Sequence, residues 1–211
     1  MLPDDDAFTF ASEKITTMVS IPLAELATIS SPLTYRGAYQ VSDMGNARLL
    51  TIRNLVSKDP IDAENLLLVQ AERPASRTTI SEGDILMPAR GLSYPASLVG
   101  VMHETILPTG QIHVIRTRSI HPEYLLWYLN RQRSQDQIAM QLTGSTIQAL
   151  KKSDLERLDI EVPSKDIQIM IGRLDQIRQK RDQARRSLEK VEMQEIELIC
   201  QVAIDRKGHN K

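Results

Sequence analysis

From Arg173 to Lys207 the chain contains neither glycine nor proline. All ten prolines lie at or before Pro163, and the last aromatic residue is Tyr128. A charged segment of this length, free of the residues that end helices, reads as one continuous helix. Pro163 closes what precedes it. Ser164 then stands at the capping position, with Asp166 in the first turn near the positive end of the helix dipole. With Ile167 as heptad position a, the a positions are Ile167, Leu174, Arg181, Leu188, Glu195 and Val202. The d positions are Met170, Ile177, Ala184, Val191, Leu198 and Asp205. Nine of the twelve are apolar, which is a coiled-coil seam interrupted at Arg181, Glu195 and Asp205. A helix with one narrow apolar stripe buries nothing alone. The competing arrangement folds it back on its own domain, but the polar faces leave too narrow a stripe for full burial. The reading is therefore a helix of about 60 Å from Ser164 to Ile204 that pairs with another helix, from a partner or, as the nearest candidate, a second copy. Ile167, Met170, Leu174, Ile177, Ala184, Leu188, Val191 and Leu198 line the pairing face. Arg181 and Glu195 flank Leu188 and can meet across an antiparallel pair.

The rest of the chain fits one ordinary domain, residues 1–163, followed by the helix over 164–205 and a disordered tail over 206–211. Hydrophobic residues make up 41% of the sequence, enough for a packed core. The domain reads as α+β. The stretches "RLLTI", "NLLLVQ", "DILMP", "SLVGVM" and "QIHVIRTR" are bounded by turn residues, as strands are. "QIHVIRTR" partly alternates, with Ile112 and Val114 on one face and the other face wet. "HPEYLLWYLNRQRSQDQIAMQL" reads as one helix with Pro122 at its first position and Gly144 past its end. Ser153–Glu156, "SDLE", is a capping box before a brief helical turn. "LDIEVP" alternates Leu158, Ile160 and Val162 and is the last strand.

The chemistry of most enzymes is missing. There is no phosphate loop, dinucleotide turn or nucleophile elbow, and no motif for gripping a flipped adenine. His103, His113, His121 and His209 show no metal-ligand spacing with one another or with Cys200. His113 reads as a strand-surface residue and His121 as a helix-cap residue. Glu82, Asp84 and Glu104 lack a lysine in the order a nuclease would need. Net charge is −1, so bulk charge names no partner. One cysteine allows no intrachain disulfide, which fits a reducing compartment. The acidic N-terminus lacks a secretory pattern, and no apolar run is long enough to span a bilayer. These features read as a cytoplasmic binding protein with no cofactor of its own and no membrane partner.

Three stretches, in this order, resemble a known family: "ISEGDILMPARG", "ILPTGQIHVIRTRSIHPEYLLWYLN" and "GSTIQALKKSDLERLDIEVPS" before a long helix. The pattern is similar to the DNA-specificity (S) subunits of type I restriction–modification enzymes, over roughly residues 80–204. The resemblance implies a target-recognition domain followed by a spacer helix. Family members carry two such units, and this chain matches one, a half-subunit form. It further implies double-stranded DNA as ligand, a DNA methyltransferase subunit as partner, and an endonuclease or translocase subunit as a further one. The implied role is non-catalytic. The rival reading is a coiled-coil adaptor or regulator of the same fold that does not read DNA.

Site residues follow from the resemblance and from chemistry. Arg90 beside Gly91 leads into a loop with Ser93 and Tyr94. An arginine next to glycine can approach DNA closely and fork onto a guanine edge or a phosphate. The alternative is an ion pair with Glu82 or Asp84. Ser145 and Thr146, after Gly144 and close to Lys151 and Lys152, suit phosphate contacts, which position without specifying. The alternative there is a helix-end turn with solvated lysines. Base readers are sought among Arg36, Arg48, Arg53, Arg73 and Arg77, with Tyr35, Tyr39 and Gln40. Four basic residues and one acidic residue lie between Leu33 and Lys58. The basic run from Arg173 to Lys190 reads as a solvated helix face.

Overall fold

The computed structural model describes residues 19–31, 40–56, 61, 63–71, 79–142 and 148–208, with side chains through residue 204. The chain divides into two compact units, residues 1–172 and 173–211. The first is the α+β domain. The second is the remainder of a helix that begins within the first.

Among the described residues ten strands form three sheets. The first pairs β1 (Val19–Pro22) with β10 (Asp159–Val162), antiparallel. The second has the order β2 (Ala27–Ser30), β9 (Ile112–Thr117), β6 (Ile85–Pro88), β7 (Ser97–Leu98). The third runs β3 (Gln40–Val41), β5 (Leu67–Gln70), β4 (Ala47–Leu50), β8 (Ile106–Pro108), with β4 and β8 parallel. Among the described residues four short α-helices come first: α1 (Leu23–Leu26), α2 (Ile52–Val56), α3 (Pro122–Asn130) and α4 (Gln132–Gln141). Then come α5 (Lys152–Glu156) and the 44-residue α6 (Lys165–Gly208).

The second sheet sits between two apolar clusters, and its alternation assigns a face to each. Ile85, Met87 and Ile115 pack with Tyr124, Leu125, Tyr128 and Leu129 of α3. Leu86, Ile112 and Val114 point the other way, onto Leu50, Leu55 and Ile106. Strand β9 is therefore covered on both faces, and the wet face expected from its alternation does not exist. His113 faces the α3 side and is buried, 3% exposed, rather than lying on the strand surface. The polar side chain is tolerated there because both ring nitrogens are satisfied. Only at Arg116 does the strand meet solvent.

Three further expectations are corrected. The region 121–142 is two helices, broken at Arg131, which is extended (φ −68°, ψ 147°). Neither glycine nor proline causes the break. Side chains take over the backbone bonds instead. Asn130 closes a two-way bond with the Ala96 backbone, donating from Nδ2 and accepting at Oδ1, each at 2.9 Å. Gln135 Nε2 donates to the Leu129 carbonyl at 2.7 Å. The Arg131 guanidinium lies 3.6 Å above the centre of the Tyr128 ring and reaches Glu161 at 3.2 Å. The "RLLTI" strand ends at Leu50, because Asn54 Oδ1 accepts from the Thr51 N–H (2.9 Å) and starts α2. Finally, Ser153 makes no capping box. Lys151 occupies the cap of α5 without a side-chain bond, and Asp154 pairs with Arg157 at 2.6 Å. His121 does stand at the N-cap of α3, and Pro122 at its start. Gly144 lies outside the described residues, as does the end of the tail past Gly208. Residues 206–208 continue the helix beyond the boundary read at 205.

The start of α6 is tied to α3. Gln168, 3% exposed, donates from Nε2 to the Pro163 carbonyl (2.8 Å) and accepts the His121 N–H at Oε1 (2.9 Å). Tyr124 and Tyr128 donate to the β10 carbonyls of Glu161 (2.5 Å) and Asp159 (3.1 Å). Burial pushes the Tyr124 hydroxyl up to about 12, with the neighbouring Tyr128 adding to the rise, so it stays a donor at any ordinary pH. At Gly172 the backbone of α6 lies close against α3: a Cβ there would sit 2.8 Å from Glu123 Cβ and 3.3 Å from its carbonyl carbon. Gly172→Ala sets a helix-propensity gain of about 1 kcal/mol against an overpacking cost of about 1–3 kcal/mol. The expected result is a lower melting temperature, checked by calorimetry. A rise would show that the helices separate freely.

Candidate nucleic-acid interface

Two segments distant in sequence meet at the end of β6. Arg90 and Ala149 form an antiparallel bridge. The Leu150 N–H donates to the Ala89 carbonyl (3.0 Å), and the Gly91 N–H donates to the Gln148 carbonyl (3.1 Å). Gly91 has φ +132°, a conformation that side chains rarely adopt, which lets the chain turn here. The Tyr94 hydroxyl lies 2.8 Å from the Gln148 carbonyl and 3.2 Å from that of Gly91. The 89–94 loop and the 148–152 segment are thus one clamped unit.

His113 fastens this unit to the core. Its Nε2 lies 2.8 Å from the Leu150 carbonyl, which can only accept, so Nε2 carries the proton. Nδ1, 2.8 Å from Ser31 Oγ, then accepts from that hydroxyl in the neutral ring. Burial pushes the ring below the ordinary histidine range, the Leu150 bond opposes this, and the charge of Lys152 adds to the fall. Neutral histidine is the form that fits.

The clamp presents exposed side chains on its outside. Arg90, Leu92 and Ser93 are exposed on one segment, and Gln148, Lys151 and Lys152 on the other. Arg90 makes no ion pair among the described residues. Of the two carboxylates named as alternative partners, Glu82 and Asp84, the second is taken by Arg116, whose Nε and Nη2 donate to Oδ1 (2.8 Å) and Oδ2 (2.7 Å). Lys152 reaches Glu156 at 3.3 Å on the surface, a contact of little energy. Tyr94 is 4% exposed, so it supports the loop from beneath instead of meeting a ligand.

The remaining expected residues lie elsewhere. Arg48 donates to both oxygens of Glu104 (2.9 and 3.2 Å) and to the Leu66 carbonyl (3.1 Å), so its fork is occupied within the fold. Arg53 is exposed on α2. Arg36, Arg73, Arg77, Tyr35, Tyr39, Ser145 and Thr146 lie outside the described residues. Asp84 and Glu104 are each bound by an arginine, and among the described residues no three of His, Cys, Asp and Glu come together as a metal site. The sequence reading placed His113 on the strand surface and missed the clamp. Its one trace was a polar residue inside the apolar run "IHVI".

Along α6, Ile167 is half-buried, whereas the other seam residues face solvent. Met170, Leu174, Ile177, Leu188, Val191 and Leu198 are 54–65% exposed, and Ala184 is exposed. Among the described residues no helix is long and apolar enough to cross a membrane.

No protein-family model matches the chain, and no curated protein does. Solved structures do. The S subunit of a type I restriction–modification system from M. genitalium superposes with a TM-score of 0.59 at 13% identity, over 90% of this chain and 44% of that one. A chain from a structure addressing complex assembly and conformational transition of the type I R-M system gives 0.61 at 18% identity, over 85% and 43%. The HsdS subunit from Thermoanaerobacter tengcongensis gives 0.55 at 20% identity, over 80% and 39%. The likeness establishes that this chain has the fold of type I S subunits, and it spans less than half the length of each.

A pH dependence follows from His113. The unfolded chain protonates this residue near its ordinary value of about 6.5, before the folded protein does. Stability is therefore complete above that pH and falls as pH drops from there through the lower folded value. The melting temperature should decline from pH 7 to pH 5, and His113→Gln should remove part of that decline. An unchanged slope would mean that His113 is not neutral in the fold.

Proposed function

We infer that this chain is the DNA sequence-recognition subunit of a type I restriction–modification complex. It directs a methyltransferase subunit, and an endonuclease or translocase subunit where present, to its target, and carries no catalytic step itself. The observation that carries the reading is the shared fold over most of the chain. The clamp adds a chemical reason. It holds one arginine, two lysines and hydroxyl and amide side chains outward on a rigid base. Arginine can fork onto a guanine edge, while lysines neutralise phosphates.

The exposed seam of α6 supports a homodimer. Leu174, Ile177, Leu188, Val191 and Leu198 need cover, and a second copy presents the same stripe. Two recognition domains on one two-fold assembly would read an inverted repeat with unread bases between its halves, since site symmetry follows protein symmetry.

Two measurements test this. In binding to a duplex selected from a random pool, Arg90→Ala should cost about 1–3 kcal/mol on the selected sequence. Lys151→Ala should weaken all duplexes alike and reduce the salt slope by about one. Equal, sequence-independent losses from both would leave Arg90 on phosphate only. By sedimentation at tens of micromolar, the native chain should be a dimer and Leu174→Asp with Leu188→Asp a folded monomer. A monomeric native chain would reserve the helix for a different subunit.

A further inference from the structure

At the apex of the clamped loop stands a side chain with no charge and no polar atom. Leu92 is 94% exposed, the most exposed large hydrophobic residue among those described. The loop leaves it no way to fold back. On one side the Gly91 N–H is fixed to Gln148 and the backbone takes the +132° turn. On the other, the Tyr94 ring is in the core with its hydroxyl on the same Gln148 carbonyl, and the Ala96 N–H donates to Asn130 Oδ1 (2.9 Å). A lone exposed leucine is commonplace on a protein surface. This one is held out by a rigid base, between the exposed Arg90 and Ser93, on the unit that also carries Lys151. Cations on both segments would draw a phosphate backbone to this place, and they would bring the leucine to the bases with it.

An isobutyl group can neither donate nor accept a hydrogen bond. On the base edges of a duplex, the apolar feature it can recognise is the 5-methyl group of thymine, which lies in the major groove. We propose that Leu92 is a specificity-determining residue that reads a thymine methyl next to the position contacted by Arg90. The proposal rests on the DNA-reading function above and assigns it a base class at one position. Because the contact is uncharged, it contributes sequence preference without contributing to salt dependence.

The test uses the full chain and a pool of duplexes with a randomised core. Wild-type protein first selects its preferred duplex. Each thymine of that duplex is then replaced by uracil, which deletes only the methyl group, and binding is measured for wild type and for Leu92→Ala. Leu92→Ala should weaken the selected duplex about fivefold or more while leaving the salt slope, the melting temperature and binding to unselected duplexes unchanged. At one position, uracil should weaken wild type by a similar factor and leave Leu92→Ala unaffected, the non-additivity that marks a direct contact. Equal uracil effects on both proteins at every position, or no loss in Leu92→Ala, would overturn the proposal. Selection of a defined sequence by wild type in that same experiment would keep the DNA-reading function intact. If wild type selects no sequence, that function fails, and the role of Leu92 fails with it.

Discussion

The carbonyls of Gln148 and Leu150 hold the 89–94 loop and the 148–152 segment together and against the core. The first accepts from the Gly91 N–H and lies within hydrogen-bonding distance of the Tyr94 hydroxyl; the second accepts from buried His113. Each bond is worth only about 1 kcal/mol in net stability. Their importance is geometric. They join two segments more than fifty residues apart in sequence and give an exposed loop the rigidity of the sheet behind it. A buried histidine can serve here because its neutral ring offers one donor and one acceptor, matching a carbonyl and a hydroxyl.

A second set of bonds does the same for the start of the long helix. The Gln168 side chain ties the backbone at Pro163 to the N-terminus of α3, two tyrosines of α3 hold β10, and Gly172 permits the close packing of α6 on Glu123. The first turns of α6 are thereby part of the domain. Further along, the apolar seam faces water from Met170 to Leu198, and the homodimer proposed above is what would cover it.

Local chemistry was readable in the sequence, and long-range chemistry was not. Pro122 marked the start of α3, Pro163 the end of β10, and the absence of glycine and proline the length of α6. Strands β5, β6 and β9 showed as apolar runs with turn residues at their ends. What failed depended on partners far along the chain. Nothing in "QIHVIRTR" tells that Leu50 and Leu55 cover one face while α3 covers the other. The break at Arg131 depends on Ala96 and Glu161. The same limit applies to the arginines. Arg48 and Arg116 look as free in the sequence as Arg90, yet Glu104 and Asp84 bind the first two. Only the fold separates arginines that hold the domain together from those, such as Arg90, that make no ion pair among the described residues.

If duplex DNA is bound on the clamped unit of residues 89–94 and 148–152, as proposed above, the lysines of that unit are the ones it should cover. Lysine acetylation read by mass spectrometry, with and without duplex DNA, tests it directly, because each exposed ammonium reports its own contact. Lys151 and Lys152 are both exposed, as are Lys180 and Lys190 on the long helix. DNA should protect Lys151 and Lys152 while Lys180 and Lys190 stay reactive. Unchanged reactivity at Lys151 and Lys152 under saturating DNA, or protection confined to the helix, would contradict it.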